Sequence, residues 1–162
     1  MLIITEVAAV DTNIEDIQQI RQLISQWQRL FSPGEEKYTL NGYEDLYVPD
    51  GDELLVYDNF STENTRFTGF DTYRAIWEKT INEQFPGFIM YRAEIDRIEV
   101  SGNLGWSGLT WWGKVAKDGQ IVYASQHGTH IWRKVDGKWQ MLHEHLTGLA
   151  IENGRESRRP EE

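Results

Sequence analysis

The chain has 162 residues and a formal net charge of −10, and the whole excess lies in residues 1–64, which hold 13 acids against 3 bases. That length fits one ordinary domain, and 40% apolar residues with 12% aromatics exclude global disorder. The absence of cysteine excludes a disulfide framework, a thiolate metal site and a thiol nucleophile, and it suits a cytoplasmic protein. The acidic balance disfavours nucleic acid and anionic membrane as partners. No apolar run approaches the about 20 residues of a membrane span, and Met1–Glu6 lacks the basic stretch that opens a signal peptide.

Residues 1–12 read as an apolar lead-in. Asp11–Asn13 then supply capping residues for a helix with Ile14, Ile17, Ile20, Ile24, Trp27 and Leu30 or Phe31 on one face. Ser32-Pro33-Gly34 ends it. Residues 35–53 are acidic and loop-like, with one helical turn expected at Tyr43–Tyr47 and a chain turn at Pro49–Asp52. Leu54–Asp58 reads as a short strand. Thr68–Asp71 has capping-box spacing, with Asp in place of Glu, and opens a helix that faces Phe70, Tyr73, Ile76, Trp77 and Ile81 to one side.

From residue 88 the apolar period changes to two. Ile89, Tyr91, Ala93 and Ile95 alternate, and the pattern then slips to Ile98 and Val100, which predicts a bulge near Asp96–Arg97. Residues 104–116, 120–134 and 138–149 form three further strands, with Asp-Gly hairpins at Asp118-Gly119 and Asp136-Gly137. The polar stretch 152–162 reads as a mobile tail. The fold class is α+β, with helices on one face of an antiparallel sheet. Long, bulged, aromatic-rich strands imply curvature, hence a cone-shaped sheet wrapped around the N-terminal helices with an internal pocket.

Three stretches carry a family resemblance: Leu54-Leu-Val-Tyr-Asp58, Phe67-Thr-Gly-Phe-Asp71 and the hairpin Gly128–Gly148. On these the chain resembles the nuclear transport factor 2-like superfamily, in particular its SnoaL-like and ketosteroid-isomerase-like branch. The last hairpin also resembles the end of the association domain of calcium/calmodulin-dependent kinase II. The resemblance spans about residues 12–150 and implies a single domain over 1–151, followed by the tail 152–162.

The resemblance assigns Asp58 as a general base at the mouth of an apolar pocket. Such a setting raises a carboxyl pKa and suits proton abstraction beside a carbonyl. The isomerase branch completes its site with a Tyr and a protonated Asp. Here the first helix has no Tyr near Leu23–Trp27, and Thr129 stands near the second Asp position. Alternatively, Asp58 caps the loop to Asn59.

Strand parity puts His143 and His145 on one face of the last strand and Leu142, Glu144 and Leu146 on the other. The resemblance implies the isomerase branch's hairpin register, and carrying it over from Gly137 turns Leu142, Glu144 and Leu146 inward, with His127, Thr129 and Ile131 inward as well. His143 and His145 then face a dimer partner; the other reading of His-x-His on a strand is a metal pair, and no metal site is expected. An inward Glu144 needs a partner or a raised pKa. Either His127 or Thr129 supplies the partner, giving an acid–base pair opposite Asp58, or Glu144 pairs structurally with Arg92. Trp111 and Tyr91 either line the pocket or fill the core.

Phosphate-binding glycine loops and a Gly-x-Ser-x-Gly elbow are absent from the sequence. Two functions follow as expectations. One is a cofactor-free isomerase, dehydratase or cyclase that moves protons with Asp58, or Glu144 and His127, on a small apolar or aromatic ligand. The other is a non-catalytic ligand-binding or assembly domain. Both expect a homodimer formed through the sheet, because both faces of residues 104–149 carry alternating apolar side chains.

Overall fold

The computed structural model describes residues 5–49, 54–60 and 65–153. Helix α1 spans Thr5–Leu30, so residues 5–12, read above as a lead-in, are helical as well. Alanine at 8 and 9 favours that extension. Ile20, Ile24, Trp27, Leu30 and Phe31 are buried, whereas Ile14 at the head of the stripe is exposed. A single 3₁₀ turn at Glu44–Leu46 occupies the acidic loop. The turn expected at residues 50–52 lies outside the described residues.

Strand β1 (Leu55–Asp58) is followed by a short strand β2 (Arg66–Thr68) that the sequence pattern does not reveal. Helix α2 (Phe70–Lys79) starts at Gly69, whose φ of 84° favours glycine, and no side chain caps it; the expected capping box is therefore not formed. A π-helical turn, Thr80–Gln84, continues α2 and turns Ile81 into the core.

Strands β3 (Ile89–Ser101), β4 (Leu104–Lys117), β5 (Gln120–Val135) and β6 (Lys138–Asn153) form a hairpin-linked meander. The two Asp-Gly turns have positive φ at Asp118 (51°), Gly119 (75°), Asp136 (49°) and Gly137 (80°), the geometry that matches strand twist in two-residue hairpins. β6 runs two residues into the stretch expected to be tail; residues 154–162 lie outside the described residues. All strands join one six-stranded sheet in the order β2-β1-β6-β5-β4-β3, with β1 parallel to β6 and the other pairs antiparallel.

Bulges decide which side chains face the helices. β3 carries the expected extra residue at Asp96 and a second at Tyr91. β6 carries an extra residue at Leu142: Trp132 pairs with Met141, but Ile131 pairs with His143. A second shift falls opposite Gln126, where β6 bends through Gly148 at φ 71°. Bulges bend and twist a strand locally, which curls this sheet around α1 and α2. The core between sheet and helices is rich in aromatic side chains, with Trp27, Trp132, Tyr38, Tyr47 and Tyr73 among its fully buried ones.

Asp16 fastens α1 to the far end of the meander. Its Oδ1 accepts hydrogen bonds from Lys134 Nζ at 2.7 Å and from Trp139 Nε1 at 2.9 Å. At the other end of α1, the Met90 N–H donates to the Phe31 carbonyl at 2.9 Å. No described helix is long and apolar enough to cross a membrane.

Candidate functional site

β1 lies against β6 with Val56 beside Glu144 and Asp58 beside Leu146. Alternation along β1 turns Val56 and Asp58 inward, and both are buried. Asp58 Oδ1 accepts the Phe60 backbone N–H at 2.7 Å and the Gln126 Nε2 at 3.0 Å. The same Gln126 amide donates to Asn59 Oδ1 at 2.6 Å. Asp58 Oδ2 has no hydrogen-bond partner among the described residues. Burial pushes the Asp58 pKa up to about 6 against the opposing pull of the Gln126 and Phe60 donors. At neutral pH the group is therefore an ionised but poorly solvated carboxylate, a stronger base than an exposed Asp.

Asp58 opens onto a cavity lined by Trp27, Phe60, Trp77, Trp111, Gln126 and Leu146, together with Phe31, Ile81, Phe88 and Met90. The side chains nearly fill it: about 20 Å³ remains for the centre of a water molecule, room for one or two waters. The indole N–H groups of Trp77 and Trp111 and Oε1 of Gln126 make no hydrogen bond among the described residues. The wall is thus apolar with a few unused donors and acceptors, the usual makeup of a small-molecule site.

Behind Trp27 lies a second polar group. Tyr47 and Tyr73 hydroxyls are hydrogen-bonded at 3.1 Å, and the Tyr73 hydroxyl reaches Glu144 Oε1 at 3.3 Å. Glu144 Oε2 stands 3.6 Å from His130 Nε2, too far for a hydrogen bond, and both side chains are fully buried. Burial raises the Glu144 pKa to about 8, with the Asp58 charge adding to the rise and the Tyr73 and Trp27 donors opposing it. Burial lowers the His130 pKa to about 3, and the neighbouring His143 adds to that. At neutral pH this pair is a carboxylic acid facing a neutral imidazole.

The sequence-derived residues divide cleanly. Asp58, Trp111 and Leu146 line the cavity, and Glu144 is inward and buried just behind it. His127 and Thr129 are exposed on the outer face, where His127 Nδ1 meets Thr110 Oγ1 at 3.0 Å and Thr129 pairs with His145. Their expected inward placement is corrected by the bulge at Leu142. An unbroken register from Gly137 sets Glu144 opposite Thr129; the extra residue sets it opposite His130. Leu142 is itself that extra residue, half-buried and absent from the cavity wall. Tyr91 is likewise a bulge residue and packs against Tyr123 and Lys114 instead of the cavity. Arg92 is exposed, stacks over Trp112 and pairs with Glu94, so it does not partner Glu144.

Gln126, His130, Tyr47 and Tyr73 are the site residues that sequence reasoning missed. Only Tyr73 had a signal, its place on the apolar stripe of α2. Among the described residues no group of three or more His, Asp or Glu side chains is arranged to hold a metal ion.

This architecture, helices enclosed by a bent sheet, is that of the nuclear transport factor 2-like superfamily. Similar solved structures include a conserved protein from Planctomyces limnophilus (TM-score 0.68, 17% identity, covering 85% of this chain and 98% of that one). A nuclear transport factor 2-like protein from Salmonella enterica has a TM-score of 0.65 at 16% identity, covering 81% and 89%. The "putative scytalone dehydratase" of Novosphingobium aromaticivorans has a TM-score of 0.65 at 18% identity, covering 93% and 97%. At these identities the likeness is one of fold. The model of the SnoaL-like domain matches residues 20–152, and the chain belongs to that family. A comparison with curated proteins finds no match.

Proposed function

We propose that the chain binds a small apolar or aromatic molecule inside the cone and, without a cofactor, moves a proton on it with Asp58 as the general base. Isomerisation, dehydration and cyclisation beside a carbonyl all fit that chemistry. The observation that carries the reading is the asymmetry of Asp58. One oxygen is fixed by Gln126 and Phe60, and the other is buried, unpartnered and on an aromatic cavity. Glu144, held protonated by burial, lies behind the cavity wall beside His130 and not His127, so Asp58 is the ionisable group placed to touch a ligand in the cavity. The resemblance to a scytalone dehydratase-like structure adds support at the level of fold alone.

The test is a thermal-shift screen of aromatic ketones and hydroxy-aromatics, followed by turnover of the hits. Asp58→Asn is expected to retain binding and lose at least 100-fold in rate, the usual weight of a general base being about 10²–10⁴. Equal turnover in the variant removes Asp58 from the mechanism.

A second reading, a non-catalytic binding or assembly domain, draws on the narrowness of the cavity. Under both readings the protein acts in the cytoplasm as a homodimer packed through the outer face of the sheet. Tyr57, Ile131, His143 and His145 stand half-buried or exposed there in the single chain. Light scattering that gives a monomer at micromolar concentration contradicts the dimer.

A further inference from the structure

The function proposed above leaves the His-x-His pair of β6 unused. His143 and His145 stand side by side on the outer face of the sheet with ring centroids 6.4 Å apart; His143 is half-buried and His145 exposed. Tyr57 on β1 packs edge-on against both rings, its centroid 5.6 Å from each. The strands on either side set Leu55 and Ile131 beside His143, and Tyr57 and Thr129 beside His145, so the pair is flanked by uncharged side chains. His143 Nδ1 lies 2.7 Å from the Leu55 carbonyl oxygen. A carbonyl only accepts, so Nδ1 carries the proton and Nε2 of the neutral ring carries the lone pair. A backbone carbonyl on one ring nitrogen is the usual support of a histidine that ligates a metal through the other.

We propose that His143 and His145 of two copies of the chain together hold one divalent cation of the zinc class between the outer faces of their sheets. The proposal rests on the homodimer assigned above. One chain supplies only two ligands, because among the described residues no third His, Asp or Glu joins them. Two imidazoles and water hold a metal weakly, whereas a closed structural site takes four protein ligands. A second copy supplies the other two, since in an isologous interface each copy offers the same patch. The interface in turn needs the ion. Closing the faces takes the His143 Nε2 acceptor out of water, and the same residue of the facing copy brings another acceptor instead of a donor. A cation meets both lone pairs. Four imidazole nitrogens on a tetrahedral centre suit zinc, whereas magnesium and calcium take oxygen ligands. At a metal–nitrogen distance of about 2.1 Å, two imidazoles on one tetrahedral centre have ring centroids on the order of 5 Å apart. Rotation of the exposed His145 ring closes the difference from the 6.4 Å of the single chain.

The test is a calorimetric titration of zinc chloride into the untagged chain after dialysis against EDTA, with light scattering before and after. Binding is expected at one zinc per two chains with a dissociation constant of about 1 µM or below, and magnesium chloride is expected to give no heat. His145→Gln changes an exposed position and leaves the Leu55 contact of His143 in place. It is expected to weaken zinc binding by about 100-fold or more and to keep the metal-free thermal midpoint. His127, the other exposed histidine, has its Nδ1 on Thr110 Oγ1, and His127→Gln is expected to bind zinc as the wild type does. One zinc per chain with no change in size, unaltered affinity in His145→Gln, an equal loss in His127→Gln, or no zinc binding at all overturns the proposal. The two readings fail separately. A metal-free dimer that takes up no zinc removes the site and leaves the homodimer standing; a chain that stays monomeric with zinc removes both.

Discussion

Glu144 and His130 face each other across adjacent strands at 3.6 Å, both fully buried and both uncharged at neutral pH. An ion pair would have to repay the desolvation of two charges in a dry, aromatic interior, and at this distance it lacks the hydrogen bond that would do so. Carbon-detected NMR should therefore find the Glu144 carboxyl titrating near pH 8 and the His130 ring neutral down to about pH 3. An imidazolium signal for His130 at pH 6 would contradict the neutral pair.

The same shifts set the pH dependence of stability. The Glu144 pKa is raised in the folded protein, so stability is lost as pH climbs from the unfolded value of about 4.5 through 8. The His130 pKa is depressed, so the unfolded chain binds the extra proton and stability falls as pH drops below about 6.5. Glu144→Gln is expected to flatten the alkaline decline in denaturant midpoints and leave the acid decline in place.

Asp58 predicts a conflict between stability and function. Its folded pKa of about 6 against 3.8 means that ionisation opposes folding across that interval. At neutral pH the cost is on the order of 2–3 kcal/mol. Asp58→Asn should therefore raise the thermal midpoint by several degrees at pH 7 and change it little at pH 4, while turnover is lost. A variant destabilised at pH 7 would mean that the charged carboxylate is well satisfied.

Asp16 behaves in the opposite way. Burial alone would raise its pKa, but the hydrogen bonds from Lys134 and Trp139 outweigh it and the pKa is lowered. Its contribution is present above the unfolded pKa and disappears as pH falls through the lower, folded one. Asp16→Ala leaves Lys134 and the Trp139 N–H without their acceptor and should cost about 1–3 kcal/mol in urea unfolding at pH 7. A loss under about 0.5 kcal/mol, the range of ordinary surface changes, would show the tie to be dispensable.

Gly113 lets the Phe88 ring lie flush on the sheet beside the cavity. A Cβ at this position would overlap Phe88 and press on Trp111 at 3.1 Å. Gly113→Ala is expected to destabilise by about 1–3 kcal/mol through overpacking and to weaken ligand binding, read by chemical denaturation and titration of the same sample. Gly128→Ala, whose nearest neighbours are the flexible ends of Leu146 and Leu109, should cost less.

Periodicity and turn chemistry made the architecture legible. The apolar stripes of α1 and α2, the Asp-Gly hairpins and the slip at Asp96 follow from local rules that tertiary structure did not override. Family resemblance points to Asp58 and, through the hairpin register carried over from it, to an inward Glu144; parity alone only separates Glu144 from His143 and His145. What stayed hidden depends on extra residues in the strands. Leu142 is apolar in an apolar-polar alternation, so nothing local marks it as the bulge. Yet it shifts the register by one and exchanges His127 and Thr129 for Gln126, Gly128 and His130 on the inner face. Tyr91 was misplaced for the same reason in β3. The hydroxyl chain from Tyr47 through Tyr73 joins a loop turn, a helix and a strand, a meeting that only the folded chain produces.

The central claim, that Asp58 is a base aimed at a ligand in the cone, is tested most directly by exchange of the benzylic α-protons of 2-tetralone into deuterated buffer. The account predicts that the protein accelerates exchange, that the rate rises through about pH 6 as Asp58 ionises, and that Asp58→Asn reduces the acceleration at least 100-fold while still binding the ketone. Acceleration that is unchanged in Asp58→Asn, or no acceleration by a protein that demonstrably binds the ketone, would contradict it.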